Sequence, residues 1–205
     1  QNSSVAIGDG ASSTATQAMA IGVGSSCAGL GQLAFGRDID IDAGTLGAAN
    51  YSMGFGVRTN NETDEWHESQ ILIGSYAQTD ARSPYAIGIG GYIGTLPGSK
   101  TNSSTRVYGS GSVALGAAAI ASSSSGGIFD AATAIGYYAD ASGSAAIAIG
   151  VGANTTTNNA IAIGSGSVNL TANTMTIGNS VQDMTFNVTG AVSASQNISA
   201  SAYYG

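Results

Sequence analysis

The sequence predicts an all-β fold, a parallel β-roll solenoid with a 14-residue period. The first sign is a recurring phrase: Ser4-Val-Ala-Ile-Gly8 returns as Ala18-Met-Ala-Ile-Gly22, Gln32-Leu-Ala-Phe-Gly36, Ala146-Ile-Ala-Ile-Gly150, Ala160-Ile-Ala-Ile-Gly164 and Thr174-Met-Thr-Ile-Gly178. A fixed period of this length marks a repeat architecture in which each unit covers the next. The second is spacing. With looser copies included, closing glycines fall at 8, 22, 36, 56, 74, 88, 116, 136, 150, 164 and 178. Six of these ten intervals are 14 residues, Gly88 to Gly116 is twice that, and the rest are 18 or 20. The third is composition, with 31 glycines, 43% hydrophobic residues and only 8% charged. That is too apolar for a disordered acidic segment and suits tight turns.

Each phrase reads as a strand. Val5 and Ile7 point one way and Ala6 and Gly8 the other, with β-branched residues favouring extended backbone. Turns follow at once in Gly8-Asp-Gly10, Gly22-Val-Gly24, Gly150-Val-Gly152 and Gly164-Ser-Gly166. No helical spacing of apolar residues survives these glycines. The remainder of each repeat, such as Ala11-Ser-Ser-Thr-Ala-Thr-Gln17 or Ala153-Asn-Thr-Thr-Thr-Asn-Asn159, supplies a second, more polar strand. Fourteen residues hold two short strands and two tight turns. One coil is therefore a flattened two-stranded roll, stacked at ~4.7–4.9 Å per layer.

Such a roll has a thin core, and thin domains rarely stand alone. Val5 and Ile7 are expected as the core pair, and Ile149→Asp is expected to prevent folding. The alanine face, Ala6, Ala20, Ala34, Ala148 and Ala162, is expected as the surface where several copies of the chain meet.

The segments Ser4-Val-Ala-Ile-Gly-Asp-Gly-Ala11, Ala146-Ile-Ala-Ile-Gly-Val-Gly-Ala153 and Ala160-Ile-Ala-Ile-Gly-Ser-Gly-Ser167 resemble the head repeats of YadA-like trimeric autotransporter adhesins. Modules of this kind are similar to segments of phage tail fibres. The resemblance covers about residues 1–182 and implies a left-handed roll assembled as a homotrimer. The chain divides into a repeat domain with inserted loops, 1–187, and fibre-like linker strands, 188–205. The latter include Ile198-Ser-Ala-Ser201, similar to strands that precede the tips of phage fibres. No heptad pattern of a coiled coil follows, which turns the reading toward a virion fibre over a bacterial adhesin head.

The chain begins at Gln1 without a basic, apolar leader, and is expected to be a processed or excised piece of a longer protein. No apolar run reaches the ~18 residues of a spanning helix, so no membrane insertion by this segment is expected. A net charge of −7 disfavours nucleic-acid backbones. Cys27 occupies a repeat position held elsewhere by Ser13, Ala141, Thr155 or Asn169, and is read as a small filler.

Catalytic constellations fail on spacing. Asp38-Ile-Asp40-Ile-Asp42 alternates like a calcium loop, but Ala43 and Ala49 stand where an EF-hand needs Gly and Glu. On a strand these three carboxylates share a face, either as a solvated edge or as a cation site assembled among chains. His67 is the only histidine, so a zincin is excluded, and no nucleophile elbow accompanies it. Glycine-rich turns such as Gly88-Ile-Gly-Gly-Tyr92 lack the helix and the Gly-Lys-Ser/Thr of a phosphate loop. A hexapeptide-repeat acyltransferase would repeat every six residues. An ice-binding ladder through Thr16 is broken by Leu30, Ser144 and Asn158. No enzyme activity and no cofactor are expected.

All five basic residues lie between Arg37 and Arg106, together with Trp66 and four tyrosines, Tyr51, Tyr76, Tyr85 and Tyr92. Off-period insertions are expected at about 37–52, 57–70, 89–111 and 117–132. Loops on a rigid scaffold commonly carry recognition. The candidate receptor-binding residues are Trp66, His67, Tyr92, Lys100, Arg106 and Tyr108, for a host surface glycan or protein. The function predicted is a structural and adhesive fibre segment on a virion or extracellular cell surface.

Overall fold

The computed structural model describes residues 3–41, 51–58, 60–61, 69–79, 84–91, 104–122, 131–179 and 189. These residues form two parallel sheets and no helix. The first sheet has eleven strands: Val5–Ile7, Met19–Ile21, Leu33–Arg37, Met53–Val57, Ile71–Ser75, Ile87–Ile89, Val113–Leu115, Thr133–Ile135, Ile147–Ile149, Ile161–Ile163 and Met175–Ile177. The second has ten: Ser12–Ser13, Ser26–Cys27, Asp40–Ile41, Asn60–Asn61, Gln78–Thr79, Arg106–Tyr108, Ile120–Ser122, Asp140–Ala141, Asn154–Thr155 and Val168–Asn169. The chain alternates between the sheets, so each coil contributes one strand to each. Every strand pairs with its equivalent in the next coil, Ile147 opposite Ile161 and Asn154 opposite Val168.

Backbone bonds run along the stack. Ile147 N donates to Ala160 O at 2.9 Å, and Gly164 N donates to Ile149 O at 2.8 Å. The glycine that closes each first-sheet strand sits directly on its neighbour. Gly150 has φ 133°, and a Cβ there would lie 2.5 Å from the Gly164 carbonyl oxygen. No side chain fits that approach. Two residues on, Gly152 takes φ 63°, as the third position of a type II-like turn requires, and Ala153 N closes the turn onto Gly150 O at 3.2 Å.

This stack corrects the sequence reading at one coil. The strand is Ile87–Ile89, and the glycine stacked on Gly74 is Gly90, not Gly88. Gly88 occupies the inward position of Leu72 and Ala114. A shift of two residues keeps each side chain on its face, so the pattern alone tolerated both registers. The long interval ending at Gly116 is one coil, since Ile87–Ile89 pairs directly with Val113–Leu115. The expected insertions are also shorter than the sequence implied. Asp40–Ile41, Asn60–Asn61, Arg106–Tyr108 and Ile120–Ser122 all lie within them, yet each is a rung of the second sheet.

The interior holds alanine, which overturns the expected orientation of the strands. Ala20, Ala34, Ala148 and Ala162 are 0% exposed within the single chain. They face small second-sheet residues such as Ala121, Ala141 and Thr155, equally buried. Ala6 shares their register opposite Ala20 but is exposed in the first coil. Buried inside the roll, the other four cannot form a surface between chains. Val5 and Ile7 point outward, at 38% and 57% exposure, and are not a core pair. The physical reason is room: two short strands joined by tight turns bring the sheets too close for paired isoleucines.

Where larger side chains enter, the opposite position shrinks. A Cβ on Gly88 would stand 3.0 Å from both Leu72 and Val107 side chains, so glycine there is what admits them. Several buried polar groups are bonded to backbone or to one another, whereas the buried Thr155 Oγ1 has no hydrogen-bond partner. Ser25 Oγ donates to Gly36 O at 2.9 Å and Thr105 Oγ1 to Gly116 O at 2.8 Å. Gln32 Oε1 accepts from Ala28 N and Gly29 N. In the last coils Asn169 bonds Ile161 O, Thr174 O, Thr171 N and Thr174 Oγ1, which closes the interior with a fully used amide.

Cys27 is 1% exposed at the inward position of the second sheet, opposite Ser13 and Ile41. Burial pushes its thiol up to about 11, against the opposing effect of backbone hydrogen bonds with Ala34 and Met19, the thiol donating to Met19 O at 3.4 Å.

Two outcomes follow. Gly150→Ala should cost several kcal/mol, on the order of an over-packed core site combined with left-handed strain, while Gly152→Ala should cost about 1 kcal/mol. At Gly152 nothing lies within 4 Å of the added Cβ. Equal denaturation midpoints for the two variants would contradict the stacking argument. For Cys27, the unfolded thiol ionises from its ordinary 9.0 while the folded one holds its proton to about 11. The contribution is present below pH 9 and is lost as pH rises through that window, about 2 kcal/mol by pH 11. Wild type should therefore lose more stability than Cys27→Ala between those pH values. Parallel curves would refute it.

Candidate functional site

The outer face of the first sheet follows from the same alternation. One outward column runs Val5, Met19, Leu33, Met53, Ile71, Ile87, Val113, Thr133, Ile147, Ile161, Met175. The other runs Ile7, Ile21, Phe35, Phe55, Ile73, Ile89, Leu115, Ile135, Ile149, Ile163, Ile177. Only Thr133 among them is polar. Phe35 and Phe55 stack in this ladder with centroids 5.1 Å apart and planes 3° from parallel. Ile7, Ile73, Ile89, Ile135 and Ile177 are exposed, and the rest of the two columns, apart from Val5 and Met175, are partly so. A contiguous apolar face of this extent marks an interaction surface.

The outer face of the second sheet is different in kind. Ser12, Ser26, Asp40, Gln78, Arg106, Asp140 and Asn154 face outward there, with Ile120 and Val168 as apolar exceptions. The roll thus has one greasy side and one wet side.

Of the residues singled out for binding, Trp66, His67, Tyr92 and Lys100 lie outside the described residues. Arg106 and Tyr108 share the outward face of one second-sheet strand, both partly exposed. Arg106 Nε donates to Ser104 Oγ at 3.3 Å, and Ser104 Oγ donates to Gln78 Oε1 at 3.2 Å. The guanidinium is thereby tied to the neighbouring coil.

The aspartate series does not form a row. Asp40 stands on the second sheet, Asp42 lies outside the described residues, and Asp38 turns away in a left-handed corner with φ 53°. Asp38 Oδ2 lies 3.8 Å from Arg37 Nε and 3.6 Å from Arg58 Nε. Among the described residues no three potential metal ligands come together.

The sequence reading missed what Asp38 does take part in. Asp38, Arg58 and Tyr76 occupy one corner in three successive coils, all with positive φ, where Gly10, Gly24, Gly152 and Gly166 stand elsewhere. Arg58 Nη1 donates to the Tyr76 hydroxyl at 2.9 Å, with its guanidinium carbon 5.6 Å from that ring's centroid. Those contacts, the Tyr76 hydroxyl first and then Asp38, raise the guanidinium above its usual value. The opposite corner carries Gln17, Gly31, Tyr51, Ser69, Tyr85, Gly111, Ala145, Asn159 and Asn173, again with positive φ throughout. There Asn159 Nδ2 donates to Asn173 Oδ1 at 3.1 Å, and Tyr51 and Tyr85 are each 58% exposed. Aligning the coils on the stacked glycine would have revealed both corners from sequence.

Comparison with curated proteins finds no match to the chain. Residues 2–25 and 141–167 match the YadA head domain repeat, an adhesin-type structural domain. The two matches fall toward opposite ends of the roll, each containing the stacked glycine and an inward alanine, so these two segments are similar to the YadA head domain repeat.

Proposed function

We propose that the chain is the repeat shaft of a homotrimeric, adhesive surface fibre. Three left-handed rolls, each built on a 14-residue coil, pack around one axis through the outer face of the first sheet. The observation that carries this is the apolar double column from Val5 to Ile177 on a roll whose interior is already filled by alanine. Left in water, that face would associate with anything apolar, and a closed symmetric oligomer buries it without leaving a free copy. YadA head repeats are trimeric in their family context, which supports three chains over other numbers. Long isoleucine and phenylalanine side chains then fill the axis that alanine would leave hollow.

The repeat match favours the head of an extracellular, surface-exposed adhesin over a virion fibre. The virion reading rests on residues 188–205, which lie outside the described residues apart from Thr189. Recognition belongs to the stretch with insertions and charge, where Trp66, His67, Tyr92, Lys100, Arg106 and Tyr108 are the candidates. The regular coils from Ile147 to Ile177 act as spacer.

The test separates the two faces. Ala148→Asp places a charge in the closed interior and should abolish the folded state, since an unpaired buried charge costs on the order of several kcal/mol. Ile149→Asp, one residue away and outward, should leave β-structure by circular dichroism but reduce the assembly to smaller species in sedimentation equilibrium. A wild-type chain that stays monomeric and folded at micromolar concentration would refute the assembly.

A further inference from the structure

We infer that Tyr51 and Tyr85 form an aromatic platform for a neutral, extended polysaccharide, an inference that rests on the adhesive reading and names its ligand class. The two tyrosines stand in one corner column of the roll, Gly31–Tyr51–Ser69–Tyr85–Gly111, fixed by the strand register. Tyr51 N bonds Leu30 O, and Gly111 N bonds Pro84 O, which anchors the column at both ends.

Three observations converge on it. Both rings are 58% exposed, among the most exposed large side chains described. Both residues hold left-handed backbone, φ 59° and 60°, at a corner where the other coils carry smaller or unbranched residues: Gly31, Gly111, Ser69, Ala145, Asn159, Asn173 and Gln17. A bulky side chain strains that backbone, and strain of this kind is tolerated where a side chain is kept for a purpose. The rings are also two coils apart, about 9.5 Å on a ~4.7–4.9 Å layer spacing. That matches the advance of two sugars along an extended 1,4-linked chain, whose successive flat faces alternate.

The surroundings fit an unchanged, uncharged ligand. A Cβ on Gly31 would stand 2.7 Å from the Tyr51 ring, so the ring lies across the glycine of the preceding coil as a shelf. Ser69 between the rings offers a hydroxyl and little bulk. A net charge of −7 works against an acidic polysaccharide at a site with no described basic side chain in its column. Aromatic faces take up the C–H faces of sugars while their hydroxyls stay in water.

The test uses the assembled full chain. Binding of β-1,4-linked glucose and N-acetylglucosamine hexasaccharides is measured by titration calorimetry, with the matching disaccharides as short probes. One hexasaccharide should bind in the millimolar range or tighter, and its disaccharide, too short to span both rings, at least tenfold more weakly. Tyr51→Ala and Tyr85→Ala should each weaken the hexasaccharide at least tenfold, with sedimentation unchanged. The proposal is overturned if neither hexasaccharide binds, if the double variant binds as wild type does, or if either variant alters the assembly, which would make these tyrosines interface residues. A parallel cell-attachment assay separates the levels. Attachment lost on periodate oxidation of the surface and in the double variant supports the platform. Attachment that survives periodate, or that the double variant retains, keeps the adhesive function and overturns the polysaccharide. No attachment by wild type overturns the adhesive reading as well.

Discussion

The gap between the two sheets governs this molecule. A coil made of two short strands and two tight turns holds its walls so close that alanine fills the space between them. The large apolar side chains of the first-sheet strands mostly face out, and where Leu72 and Val107 enter, Gly88 leaves them room. The stacked glycines set the closeness along the other direction, since the Gly164 carbonyl occupies the volume a Cβ on Gly150 would need. Alternation along a strand then forces isoleucine and valine to the outside of the first sheet. The thin interior and the apolar exterior are therefore one fact, and together they make the chain a component of a larger assembly.

Irregularity enters where the corners permit it. In chain order, 42–50, 62–68, 80–83 and 123–130 follow a second-sheet strand and precede the next first-sheet strand, while 92–103 follows a first-sheet strand and precedes a second-sheet one. Lengthening a corner leaves the ladders on either side in register, as the pairing of Leu33 with Met53 and Met53 with Ile71 demonstrates. The same region admits the largest buried side chains, Ile39, Gln32, Gln70 and Val107, and the Asp38–Arg58–Tyr76 corner. A repetitive scaffold thus concentrates its chemical variety in the middle coils and keeps the terminal ones plain.

Much of this was legible in sequence. The all-β class, the parallel stacking, the two strands per coil and the place of Cys27 opposite Ser13 all follow from the spacing of one phrase. Three things were not. The direction of the alternation was read in reverse, because hydrophobicity says that isoleucine avoids water but not whether a core or a partner removes it. The choice between Gly88 and Gly90 depended on which glycine meets a carbonyl, and a two-residue slip preserves every face. The rungs Asn60–Asn61 and Arg106–Tyr108 carry no phrase of their own, since second-sheet strands are only two or three residues long and tolerate polar or charged side chains outside. Arg106 and Tyr108 were found as candidates through composition, whereas Tyr51 and Tyr85 needed the coils aligned on the stacked glycine to stand out.

The central claim is that the first sheet's outer face points to a shared axis. It is tested most directly by inter-chain distances from spin labels placed on either face in a Cys27→Ala background. Labels at Ile149→Cys should report inter-chain distances markedly shorter than labels at Asn154→Cys, because the first position faces the axis and the second the solvent side of the opposite sheet. The reverse order, or no inter-chain coupling from either position at concentrations where the chain is folded, would contradict the account.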